Sequence, residues 1–147
     1  METNNGVVVV GVPLDVNSSF LRGAAAAPGR IREALHSPSS NFCTENGLDL
    51  GAEERWHDAG DVGTADEQPS LSEIEAFVGD LLGAGERVVT LGGDHSISYP
   101  LVRSHARVHS GLTILHLDAH PDLYDELDGS RLSHGCLHRG AGARRAL

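Results

Sequence analysis

The chain has 147 residues, enough for one domain with a real core and too few for two. Hydrophobic residues make up 39% and charged residues 22%, a globular balance that excludes disorder, and no apolar run is long enough to cross a bilayer. A formal net charge of −10, with every basic residue an arginine, argues against nucleic-acid or anionic-membrane partners and suits a cationic one.

The amino terminus, Met-Glu-Thr-Asn-Asn, is polar and lacks the pattern of a secretory signal. Residues 6–12 form a continuous β-branched run closed by Pro13, as expected of a strand buried on both faces of a parallel sheet. Residues 14–23 read as loop. Pro28 suits the first turn of a helix whose apolar face is Ile31, Ala34 and Leu35, and Ser37-Pro38-Ser39-Ser40 stops it. Residues 41–55 show no period, and 56–62 hold a short strand closing on Asp61.

Ser70 and Glu73 stand at capping-box spacing before Leu71, Ile74, Phe77, Val78, Leu81 and Leu82, which follow a helical period ended by Gly83 and Gly85. A strand over 87–91 comes next, then a helix from about Ser98 to His109, with Pro100 tolerated in its first turn. A further strand is expected over 112–117. This β-α-β-α-β order predicts an α/β fold, a doubly wound, mainly parallel sheet with helices on both faces. Cys43 and Cys136, far apart and in no Cys-x-x-Cys pattern, are expected to be free thiols of a cytoplasmic protein.

Two stretches carry the chemistry. Leu-Gly-Gly-Asp-His-Ser at 91–96 and Leu-His-Leu-Asp-Ala-His-Pro-Asp at 115–122 each follow a β-type apolar run, and ligands bind where α/β strands end. Asp118, His120 and Asp122 are two apart, so an extended backbone would point all three to one side. Burying them without a cation would be costly, and His95 is a natural fourth ligand. The mixed carboxylate and imidazole set suits Mn²⁺, Zn²⁺, Fe²⁺ or Co²⁺ rather than Ca²⁺ or Mg²⁺. His116 shares the alternating face of Asp118 and could support the ligands from outside or play no part. Asp94 could orient His95 or cap the following helix. The Asn17-Ser18-Ser19 loop could line a pocket or be plain polar loop, and His105 and His109, one helical turn apart, read as solvated.

On these residues the chain resembles the ureohydrolase family (arginase, agmatinase, formiminoglutamase and relatives), which shares its fold with the deacetylases. Gly92-Gly93-Asp94-His95-Ser96 matches the first metal motif and Asp118-Ala119-His120-Pro121-Asp122 the second, while Ser133-His134-Gly135 matches the segment with a catalytic histidine. Gly11-Val12-Pro13, Gly23, Pro28, Ile31-Arg32 and Gly60-Asp61 also fit, and Leu115-His116-Leu117 favours the agmatinase-like branch. The resemblance runs from about residue 7 to residue 135. It implies two Mn²⁺, one held by His95 and Asp122 and the other by His120, with Asp118 bridging. A hydroxide shared by the metals would be the nucleophile, oriented by Asp122, and His134 would pass a proton to the leaving amine. The substrate would be a small guanidino or formimino compound, and the intact enzyme a homo-oligomer.

The chain departs from the family's pattern after residue 135. The family's third motif, Asp-x-Asp, supplies further ligands, and no such motif follows here. Residues 1–135 therefore read as the N-terminal part of a truncated ureohydrolase-like domain. Residues 136–147 read as an atypical tail, whose last nine residues are only Arg, Gly, Ala and Leu, as an out-of-frame reading of GC-rich DNA would give. The second metal would keep only Asp118 and His120, so the expectation is weak metal binding and impaired turnover. The competing reading is a non-catalytic remnant that binds metal weakly or joins a longer homologue. A metallophosphoesterase also uses Asp-x-His and Gly-Asp elements, but in the reverse order.

Overall fold

A computed structural model describes residues 6–64, 66–127, 129–130 and 133–136, with the backbone alone at His134. Strand β1 (Val7–Gly11) is followed by helix α1 (Ala27–Leu35), strand β2 (Trp56–Asp61), helix α2 (Leu71–Gly83), strand β3 (Arg87–Leu91) and helix α3 (Ser98–Val108). The three strands form one parallel sheet in the order β2-β1-β3, with Val8 in register with His57 on one side and Val88 on the other. This is the α/β architecture that the strand and helix patterns predict.

Alternation along β1 decides which layer forms the core. Val8, Val10 and Val12 are fully buried and pack with Leu14, Val62, Ile74 and Ile97, flanked by Leu71, Phe77, Leu81 and Leu101 from α2 and α3. Helix α2 is set by its first turn: the Ser70 hydroxyl accepts the Glu73 N–H while the Glu73 carboxylate accepts the Ser70 N–H. Positive φ at Gly85 lets the chain turn back, and the Gly85 and Glu86 amides donate to Leu82 and Leu81. Pro100 sits buried in the first turn of α3, and Ser104 ties α3 to α2 by donating to the Glu75 carbonyl.

Three expectations need correction. Val7 and Val9 are only half-buried, so β1 is not sealed on both faces. The reason lies in α1, where Ile31 is 42% exposed and Pro28 alone is buried. That helix instead reaches the sheet through Arg32, whose guanidinium forks onto Asp58, the register partner of Val9, and also bonds Asp61 and the Gly60 carbonyl. Helix α1 therefore lies over the face opposite α2 and α3. A Cβ on Gly11 would collide with Asp61 in this cluster.

The third correction concerns 112–117, which form no strand. Leu115 and Leu117 are 83% and 86% exposed. Local β preference is present there, but a strand also needs a neighbour for its backbone groups, and none pairs with this segment among the described residues.

The loop after β1 is anchored by Asp15, which is buried. Its carboxylate accepts from the Gly23 and Ala25 amides and from the Gln68 side chain, and Gln68 in turn accepts the Asp15 N–H. The Gln68 and Gly23 bonds hold this carboxyl below the ordinary aspartate value of 3.8, outweighing burial. The folded chain thus keeps the charge to lower pH than the unfolded chain, so the contribution is full above about pH 4 and fades as pH falls through the native value. Asp15→Asn should cost on the order of 1–3 kcal/mol at pH 7 in urea unfolding, with the gap to wild type closing toward acid pH. A gap independent of pH would contradict this account of the loop.

Candidate metal centre

The first motif leaves β3 through Gly92 and Gly93. Gly93 lies against the chain itself, since a Cβ there would stand 1.9 Å from the Leu14 carbonyl oxygen. That carbonyl accepts the Asp94 N–H at 2.7 Å, so the β1 and β3 exits are locked together. Asp94 then caps the short 3-10 turn His95–Ile97, accepting from the Ser96 N–H, and it also accepts from the Asn17 N–H and the Ser18 hydroxyl. Of its two open roles, Asp94 takes the cap. The Asn17 side chain donates to the Ser96 hydroxyl, which makes the 17–18 loop a tether for this turn.

His95 projects from the turn with its Nδ1 3.2 Å from the Ser98 hydroxyl, three residues on. Sequence reasoning missed Ser98, although an i to i+3 spacing across one 3-10 turn is a usable signal. With Nδ1 engaged, Nε2 is the free edge of the ring. It is buried, makes no hydrogen bond, and stands 3.0 Å from Asp122 Oδ2.

The second motif does not run extended. Asp118 Oδ1 accepts the His120 N–H at 2.9 Å, an Asx-type turn, and Asp122 adopts φ 47°, a left-handed conformation that Asp tolerates better than most residues. Asp122 is thereby turned inward and buried, while the His120 side chain stands 79% exposed, its Nδ1 3.5 Å from Asp118 Oδ1. His116 is turned in instead: it is 24% exposed and stacks on His95 with ring centroids 5.3 Å apart and planes 7° from parallel. The His120 N–H holds the Asp118 carboxyl below its ordinary range against the effect of burial, with help from the nearby His116 and His95.

Of the expected site residues, His95, Asp118 and Asp122 thus lie together, His116 joins them, and His120 sits at the rim. The 3-10 turn His134–Cys136 packs beside the His95–Ile97 turn, which brings the backbone of His134 to the same end of the sheet, and the Gly135 carbonyl accepts the Tyr124 N–H. The His134 side chain lies outside the described residues, as does the tail beyond Cys136, which is itself buried. Cys43 and Cys136 are both free. No described helix is long and apolar enough to cross a membrane.

His95, His116, Asp118 and Asp122 each offer a donor atom within 4.8 Å of the others. Two imidazoles and two carboxylates, one imidazole nitrogen buried without a hydrogen bond, are a donor set that fits a divalent transition cation.

Comparison with known proteins places this geometry in context. A profile of the arginase family matches residues 5–145. A rice arginase (Oryza sativa subsp. indica, "Arginase 1, mitochondrial") is 42% identical over 152 aligned residues, covering 95% of this chain and 45% of its own length. An agmatinase from Bacillus anthracis is 38% identical, covering 87% of this chain and 44% of its own length. The crystal structure of formimidoylglutamase from Bacillus subtilis superposes with a TM-score of 0.77 at 32% identity, over 92% of this chain and 42% of that one. The chain thus spans less than half the length of the relatives it matches.

Proposed function

The chain belongs to the arginase family, and on that premise we propose that it carries the metal site of a hydrolase acting on linear C–N bonds in small guanidino- or formimino-type molecules. The supporting observation is the convergence of His95, Asp118 and Asp122 from two separate stretches, with the buried His95 Nε2 facing carboxylate oxygen. Arginase, agmatinase and formimidoylglutamase are the named activities of the relatives, and identities of 42% and 38% do not separate the branches.

In this reading His95, Asp118 and Asp122 would hold Mn²⁺, and the Asp118 and His120 pair is all that a second ion would find. When bound, the metal supplies activation of water for attack on an electrophilic carbon. Asp122 Oδ2 would accept a hydrogen bond from that water and aim it at the guanidinium carbon. His134 would deliver a proton to the departing nitrogen, so that water and a guanidinium give urea and an amine. The acidic chain favours the approach of a cationic substrate. Free Cys43 and Cys136 support a cytoplasmic location.

The test is metal-dependent turnover by the purified 147-residue chain. With Mn²⁺ we expect slow release of urea from arginine or agmatine, or of formamide from formiminoglutamate, abolished by EDTA. A chain that holds its ion yet matches the protein-free blank would decide for the second reading, a non-catalytic family member that binds metal or joins a longer homologue. The observation favouring that alternative is the exposed His120, which leaves Asp118 without a second inward-facing imidazole of its own motif.

A further inference from the structure

We propose that His105 and His109, at the carboxyl end of α3, form a second metal site that takes Cu²⁺ or Ni²⁺. It stands apart from the candidate centre at residues 95–122. His105 lies seven residues beyond Ser98, the first residue of α3, which carries it about 10 Å along the helix axis.

The geometry carries the pair. Side chains four residues apart on a helix share one face. Here the two ring centroids are 6.0 Å apart, with planes at 59°. An ion with bonds of about 2.0–2.1 Å to two imidazoles holds the ring centres roughly 5 Å apart, so a small side-chain rotation closes the pair. Contrary to the solvated expectation, His105 is half-buried, and its Nδ1 is buried without a hydrogen bond. A buried polar nitrogen left in that state costs free energy, which coordination relieves. Burial, and then the neighbouring His109, hold the His105 imidazole below its ordinary value of 6.5. The ring is therefore neutral at neutral pH, the form that binds metal.

The surroundings suit a cation. The His109 N–H closes onto the His105 carbonyl at 2.8 Å, and the remaining carbonyls of the last turn make the negative end of the helix. The guanidinium groups of Arg103 and Arg107, on the same helix, are drawn to Glu75 of α2, which balances their charge. A donor set of imidazole alone selects Cu²⁺ and Ni²⁺ over Mn²⁺, which prefers oxygen. With two protein donors, water fills the other positions and the ion exchanges readily.

The test titrates Ni²⁺ and Mn²⁺ into the tag-free chain, His109→Ala and His57→Ala by calorimetry, with circular dichroism as the check on folding. His109 is exposed and its helix-closing bond is made by backbone, so His109→Ala keeps the helix end. We expect His109→Ala to weaken one Ni²⁺ equivalent at least tenfold and to leave Mn²⁺ binding unchanged. His57→Ala, which removes an exposed histidine from β2, should change neither. Diethyl pyrocarbonate labelling, read by peptide mass mapping, should show Ni²⁺ protecting His105 and His109 together. Ni²⁺ affinity unchanged by His109→Ala, an equal loss in His57→Ala, or labelling of the pair indifferent to Ni²⁺ would overturn the site. Because each comparison turns on His109 or on labelling of the pair, the outcome does not depend on the Mn²⁺ centre.

Discussion

Gly93→Ala is expected to abolish or cripple folding. The added methyl carbon would stand 1.9 Å from the Leu14 carbonyl oxygen and 2.8 Å from the Leu14 carbonyl carbon and nitrogen. These are backbone atoms of a residue only 2% exposed, so no side chain can swing away. The Leu14 carbonyl is also the acceptor for Asp94, so moving it breaks the bond joining the exits of β1 and β3. Overpacking a well-filled core costs about 1–3 kcal/mol when flexible side chains absorb it. A collision with fixed backbone belongs at or above that limit, a large share of the roughly 5–15 kcal/mol that keeps a domain folded.

The control is Gly79→Ala, inside α2, where nothing lies within 4 Å of the added carbon. Removing a helical glycine there should raise stability by about 0.5–1 kcal/mol. Urea melts of the two variants should therefore move in opposite directions, and equal shifts would contradict the close approach at Gly93.

Asp122→Asn should remove the metal without removing the fold. Asn is nearly isosteric and tolerates the left-handed backbone that Asp122 adopts at φ 47°, so the turn is kept. What goes is a negative donor beside His95 Nε2, along with half of the carboxylate charge in the cluster. We expect the affinity for Mn²⁺ or Zn²⁺ to fall more than about 100-fold, since a direct donor should cost more than the 10–100-fold of an outer partner. The metal-free melting temperature should stay within a few degrees. Unchanged metal affinity would place the ion elsewhere, and collapse of the metal-free fold would make Asp122 a structural residue.

Local signals were the readable ones. The Ser70 and Glu73 pair, the β-branched run ahead of Pro13 and the glycines after α2 announce their elements because one turn or one strand suffices to express them. The layer over the second face was not readable from α1, since helical periodicity marks Ile31 while the contact is made by Arg32 onto Asp58 and Asp61. Such a long-range ion-pair cluster has no spacing rule. Residues 112–117 look like a strand for the same reason that 87–91 do; the difference lies in partners, which no local pattern encodes.

At the candidate metal centre, the two motifs mark stretches that the structure brings together, but not which of their side chains turn inward. Counting by twos fails after Asp118, where an Asx-type turn and a positive φ intervene. His116, by contrast, shares the cluster with Asp118 and Asp122, as its place on the same side of the motif suggests. Ser98 was not visible at all, because its role depends on a single 3-10 turn holding the His95 ring.

The measurement that bears most directly on this account is the ion content of the purified chain after loading with Mn²⁺ or Zn²⁺ and desalting. One ion per chain, lost in Asp122→Asn, is the predicted result. No retained ion, or equal retention in wild type and Asp122→Asn, would contradict it.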